Sequence, residues 1–98
     1  MDIALLIDGE ARGATAGATY DRNDPFTGKL ATRAAAATVA DANAAVEAAA
    51  VAFRTWSRSS PAERRGLLLK AADIMDGKAG EFTRLMIEEI GATAPWAG

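Results

Sequence analysis

Apolar residues change their spacing at about Thr38: short runs and alternations lie before it, and a recurrence every three to four residues follows it. The run at residues 3–7, bounded by Asp8 and Gly9, predicts a strand buried on both faces or paired at one edge. Residues 9–17 are rich in Gly and Ala and predict a loop. A hairpin is then expected, with one strand to about Asn23, a turn at the "DPFTG" of residues 24–28, and a return strand over residues 29–37. Asp24 can accept from the backbone ahead of it, Pro25 presets φ for the first central position, and Gly28 supplies a left-handed or bulge conformation.

The helical part opens with Thr38 as N-cap and Asp41 as its acidic partner three residues on. Val39, Ala42, Val46, Ala49, Ala50, Phe53 and Trp56 then fall on one face, and Ala44, Ala45, Ala48 and Ala52 keep the other faces small. Ser60, Pro61 and Glu63 make a second start, with Ser60 as cap and Pro61 at the first helical position. That helix carries Arg64, Leu67, Leu68, Ala71, Ile74 and Met75 on one side and Glu63, Lys70 and Asp73 on the other, and Gly77 is expected to end it in the left-handed conformation. A third helix over residues 79–90 groups Phe82, Leu85, Met86 and Ile90, and Gly91 closes it. The short connection predicts that the second and third helices pair as an antiparallel hairpin. The chain alone therefore reads as a strand and β-hairpin (residues 1–38) followed by three antiparallel α-helices (residues 39–98).

Composition tempers this picture. A chain of 98 residues suits one small domain, which hides roughly 60–65% of its unfolded surface. Yet 25 residues are Ala, which contributes little apolar area, and the bulky anchors are few: Phe26, Phe53, Trp56, Phe82, Trp96 and a handful of Leu, Ile and Met. The formal charge of −2, with both signs interspersed, predicts neither a nucleic-acid nor a membrane partner. No basic n-region precedes residues 3–7 and no run approaches a membrane span, so the expected location is the cytoplasm.

The chain has no Cys and no His, which excludes disulfides, most zinc sites, Cys–His pairs and Ser–His–Asp triads. Neither GxGxxG after a strand nor GxxxxGK[ST] occurs. Glycines 9, 13 and 17 have the spacing of a membrane-helix dimer motif but sit outside any apolar helix, so a loop is the better account. "DRND" at residues 21–24 lacks the sixth-position Gly and twelfth-position Glu of a calcium loop and reads as turn capping. Glu88 and Glu89 point to different helix faces, and Asp73 and Asp76 lie beside Lys70 and Lys78, so both pairs read as solvated surface. Arg64 and Arg65 could meet an anion, or tie helices together through carboxylates or carbonyls. Gly66 costs about 1 kcal/mol inside a helix, which would be explained by another backbone passing close to it.

Taken in order, "LLIDGE", "YDRNDPFTGK", "ADANAAVEAAAVAFRTW", "SPAERRGLLLKAADIM" and "FTRLMIEEIGA" resemble the opening segments of the NAD(P)-dependent aldehyde dehydrogenase superfamily. The ending "EIGATAPWAG" is most similar to the aromatic-aldehyde branch of salicylaldehyde and vanillin dehydrogenases. The resemblance implies an α/β parent fold with a Rossmann-type cofactor domain, NAD or NADP as cofactor, and assembly into a homo-oligomer. It implies a Cys that attacks the aldehyde to give a thiohemiacetal, hydride transfer to the nicotinamide, and a Glu-activated water that hydrolyses the thioester. No catalytic, cofactor-binding or metal-ligating residue carries over to this chain, which has no thiol and is expected to bind no cofactor alone. The backbone carbonyls around Arg22 and Asn23 resemble a monovalent-cation site of some members. The implied partner is the remainder of the parent enzyme, with Pro95 and Trp96 opening a further helix and the ending read as a cut. A small self-standing α+β binding or assembly module is the alternative. Because the thiol is missing, the purified 98-residue chain should give no aldehyde-dependent NADH in a spectrophotometric assay, and a measurable rate would overturn this reading.

Overall fold

The computed structural model describes residues 1–98. Five strands precede four helices: β1 (Asp2–Ile3), β2 (Leu5–Ile7), β3 (Glu10–Arg12), β4 (Thr19–Asn23), β5 (Leu30–Ala35), α1 (Val39–Trp56), α2 (Pro61–Gly77), α3 (Ala79–Ile90) and α4 (Ala94–Ala97). The single strand expected at residues 3–7 is broken at Ala4 into two that serve different sheets. β1 pairs in parallel with β5, matching Asp2 to Arg33 and Ile3 to Ala34. β2 pairs antiparallel with β3, matching Leu5 to Arg12 and Ile7 to Glu10. Part of the expected loop at residues 9–17 is therefore strand. Its cause is the Asp8–Gly9 turn, where φ values of +55° and +74° give the two-residue geometry whose twist suits a hairpin.

The second hairpin forms as expected, with β5 between β1 and β4. Asp24 Oδ1 accepts from the N–H of Phe26 at 2.7 Å and of Thr27 at 3.2 Å. Gly28, at φ +73°, donates its N–H to the Asp24 carbonyl at 2.8 Å. The register shifts between Arg22 and Asn23, just before the turn.

Local signals also set the helix ends. Thr38 and Asp41 form the reciprocal capping box of α1, and Ser60 Oγ accepts from the Glu63 N–H to cap α2, with Pro61 at its start. Gly91 takes the left-handed conformation at φ +70° and donates to the Ile87 carbonyl at 3.0 Å. Pro95 lies in the first turn of the short α4, where its missing N–H costs nothing.

Two expectations about the helices fail for one reason. Gly77 does not adopt the left-handed conformation; it remains the last residue of α2, and Lys78 (φ −109°, ψ 12°) is the only residue before α3. One residue in a near-helical conformation does not reverse the chain, so α2 and α3 do not pair as an antiparallel hairpin, and α2 is tied to α1 at the corner through Arg64. α3 lies instead against β4 and β5 and holds α4. The result is a slab of 48 × 36 × 15 Å. Its radius of gyration is 17.0 Å, against about 13 Å for a compact domain of this length.

Gly66 separates two explanations for a mid-helix glycine. A Cβ added there meets nothing within 4 Å, so no backbone passes close to it in this chain. At Gly91 a Cβ meets Pro25 Cγ at 3.1 Å, and the positive φ strains any L side chain. Gly66→Ala should therefore stabilise the chain by about 0.5–1 kcal/mol. Gly91→Ala should destabilise it by about 1–2 kcal/mol. Urea denaturation followed by circular dichroism distinguishes the two signs.

Candidate functional site

Asp41 is the most enclosed side chain of the molecule, with 1% of its surface exposed. Sequence spacing assigns it to the α1 cap, and it does accept from the Thr38 N–H at 2.8 Å and the Thr38 hydroxyl at 3.0 Å. The fold adds partners from the segment between β3 and β4. The N–H of Thr15 donates to both carboxylate oxygens at 3.2 and 3.1 Å, and the Thr15 hydroxyl donates to Oδ1. The Arg12 guanidinium, half-exposed, approaches Oδ1 at 3.4 Å. This second set of donors was missed in the sequence, where nothing but the Asp8–Gly9 turn hints that residues 12–15 return to α1.

The Thr15 hydroxyl, then the backbone N–H groups of Thr38 and Thr15, hold the Asp41 carboxyl well below the usual carboxylate range. The first turn of α1 favours the same negative charge. A carboxylate with its lone pairs committed and its charge locked is a poor general base, so Asp41 is a structural anchor. A parallel role falls to Glu89, whose Oε1 accepts from the Thr32 hydroxyl at 2.8 Å and ties α3 to β5, with Thr32 only 3% exposed. Glu88 faces the other way and pairs with Arg84 at 2.8 Å, as the spacing of the two glutamates predicts. Asp21 of "DRND" pairs with Arg33 at 2.8 Å, and Asp24 caps its turn.

Arg64 resolves its two readings in favour of tying helices together. Its Nε donates to Ser59 Oγ at 2.8 Å, and its Nη2 donates to the carbonyls of Trp56 at 3.0 Å and Ser57 at 3.3 Å. The guanidinium also lies 5.4 Å from the centre of the Trp56 ring. These contacts satisfy carbonyls that the end of α1 leaves open and fix the corner into α2.

No cluster of acidic side chains is placed to hold a metal, and no helix is long and apolar enough to cross a membrane. The groove between the β2–β3 turn and α1 is lined by Leu6, Ile7, Ala45, Ala48 and Ala49, with Asp8 its one charged side chain. An anionic rim without basic groups does not fit a dinucleotide, whose phosphates need backbone or cationic donors. The larger feature is apolar exposure. Only Ala14 and Ala34 form a buried apolar core, while Val39, Val46 and Phe53, seven residues apart on α1, are 78%, 68% and 65% exposed. The accessible surface of 7485 Å² compares with about 5,300 Å² for a folded protein of this mass. The most prominent feature of the chain is thus its exposed apolar surface.

Because the folded-state value of Asp41 lies below its unfolded one, its contribution is complete above about pH 4 and is lost as pH falls through the folded value. Asp41→Asn sets an amide NH2 against donors that need an acceptor. Hydrogen exchange at the Thr15 and Thr38 amides should then accelerate on the order of tenfold or more at neutral pH. Unchanged rates would remove Asp41 from this role.

Comparison with known proteins follows the same outline. The profile of the aldehyde dehydrogenase family matches residues 12–98. The vanillin dehydrogenase of Pseudomonas fluorescens is 47% identical over 98 residues, which cover all of this chain and 20% of its own. The crystal structure of a salicylaldehyde dehydrogenase from Pseudomonas putida G7, complexed with salicylaldehyde, superposes with a TM-score of 0.96 at 42% identity, over 100% of this chain and 20% of its own. That of PnpE in complex with nicotinamide adenine dinucleotide gives 0.94 at 41%, over 99% and 20%. The chain spans about a fifth of the length of these relatives. With the profile match over residues 12–98 and agreement in backbone and sequence together, this chain belongs to the aldehyde dehydrogenase family.

Proposed function

We propose that these residues form the N-terminal segment of an enzyme that oxidises an aromatic aldehyde to its carboxylate with NAD(P)+. The observation that carries this reading is the joint similarity to a vanillin dehydrogenase in sequence and to a salicylaldehyde dehydrogenase in backbone. Within such an enzyme the segment is scaffold. Its own residues supply no thiol, so the covalent step falls to residues outside it. What it supplies is a sheet and helix framework held by Asp41, Glu89 and Arg64, with apolar faces turned outward for the remainder of the parent.

A self-standing binding module accounts less well for the surface, because a separate small domain keeps its Val, Leu and Phe side chains largely inside. The parent acts as a homo-oligomer, in keeping with the apolar surface available to neighbours. A hybrid tests the central claim: the 98 residues replace the aligned segment of the Pseudomonas putida salicylaldehyde dehydrogenase. The hybrid should fold and reduce the nicotinamide cofactor in the presence of salicylaldehyde at a rate within about tenfold of the parent, a barrier change of about 1.4 kcal/mol. An insoluble or inactive hybrid would overturn the assignment.

A further inference from the structure

The pair Asp–Gly occurs twice in the chain, at residues 8–9 and 76–77, in opposite settings. Asp76 and Gly77 lie inside α2, whose hydrogen-bond ladder holds the Gly77 N–H and fixes its direction. Asp8 and Gly9 form the whole of the β2–β3 turn, and both are exposed. There the Gly9 N–H donates to no carbonyl, the Asp8 carboxylate joins no ion pair, and a Cβ at Gly9 would meet nothing within 4 Å. Asp8 holds φ at +55° and is the one non-glycine residue in the left-handed region, where its Cβ crowds the backbone. Asp24 offers no third case, because the nitrogen of Pro25 has no hydrogen to give up.

We propose that the Asp8–Gly9 turn is a self-modification site, at which Asp8 converts through a cyclic imide to an isoaspartyl linkage with water as the only co-reactant. The Gly9 nitrogen attacks Asp8 Cγ: the N–Cγ bond forms, the Cγ–OH bond breaks, and the hydroxyl leaves as water with the amide proton. Water then opens the ring. Addition at Cγ restores aspartate, and addition at the Asp8 main-chain carbonyl carbon leaves the chain running through Cβ and Cγ. Nothing is oxidised or reduced. Ring closure requires the Gly9 nitrogen to swing toward the side chain, a rotation that a free N–H on a residue without a Cβ permits and a helical ladder resists. The product adds a backbone atom to a turn of two residues, so the Ile7–Glu10 register and the twist of the turn are lost. Leu6 and Ile7, which line the groove with Ala45, Ala48 and Ala49, then lose their place against α1.

The test needs only the 98-residue chain, incubated at neutral pH in heavy-oxygen water beside a short unstructured peptide carrying "LLIDGE". Peptide mapping with electron-transfer fragmentation separates isoaspartate from aspartate and locates the heavy oxygen. Isoaspartate carrying heavy oxygen should accumulate at residue 8 at a rate within about tenfold of the peptide, and residue 76 should lag residue 8 by about tenfold or more. Asp8→Gly, which keeps the turn as Gly–Gly, should abolish the signal at residue 8 and leave that at residue 76 unchanged. Conversion at residue 76 as fast as at residue 8, or a chain whose residue 8 stays aspartate while the peptide converts, would overturn the proposal. Isoaspartate free of heavy oxygen would overturn the imide route and the proposal with it.

Discussion

The carboxylate of Asp41 is the most heavily hydrogen-bonded tie between the strand half of the chain and its helices. One oxygen pair gathers donors from Thr15 and Thr38, with Arg12 alongside, so the end of the first hairpin, the loop after it and the start of α1 share one charge. A hydrophobic core of ordinary size would make such a knot dispensable. Here the buried apolar residues are two alanines, and polar geometry does what side-chain volume does elsewhere. Hydrogen bonds to an ionised group are stronger than neutral ones, which suits a fold with few other ties between its layers.

The remaining ties are of the same kind. Glu89 reaches Thr32 across the face of the sheet, and Arg64 closes the α1–α2 corner on backbone carbonyls. Each is directional and fixes where an element sits without requiring that it be covered. The segment can therefore hold the family backbone while most of its large apolar side chains remain open. The contacts that fix the elements and the exposed apolar surface are carried by different residues of this chain.

Features set by adjacent residues were legible in the sequence. The turn at residues 24–28, the caps at Thr38 and Ser60, the helix stop at Gly91 and the opposed faces of Glu88 and Glu89 each depend on a neighbour within a few positions. Errors arose where a local signal was left unused or a distant one was needed. Asp8–Gly9 is itself a strong hairpin signal, yet the single apolar residue of Glu10–Arg12 hid the strand behind it. Gly77 beside Lys78 looked like an ordinary stop, but the helix continues through the glycine and resumes after one residue. The Thr15 contacts of Asp41 span 26 residues, and no periodicity reports them. The lack of an apolar core was foreshadowed by 25 alanines, although which faces stay open depends on the absent α2–α3 pairing.

The Thr32–Glu89 bond closes the chain on itself across 57 residues, and α1 and α2 lie wholly within that excursion. The entropy of closing a loop grows only slowly with its length, by about 0.6 kcal/mol for each doubling. The two helices therefore form an excursion whose closure depends only weakly on its length, held at its start by Asp41 and at its corner by Arg64.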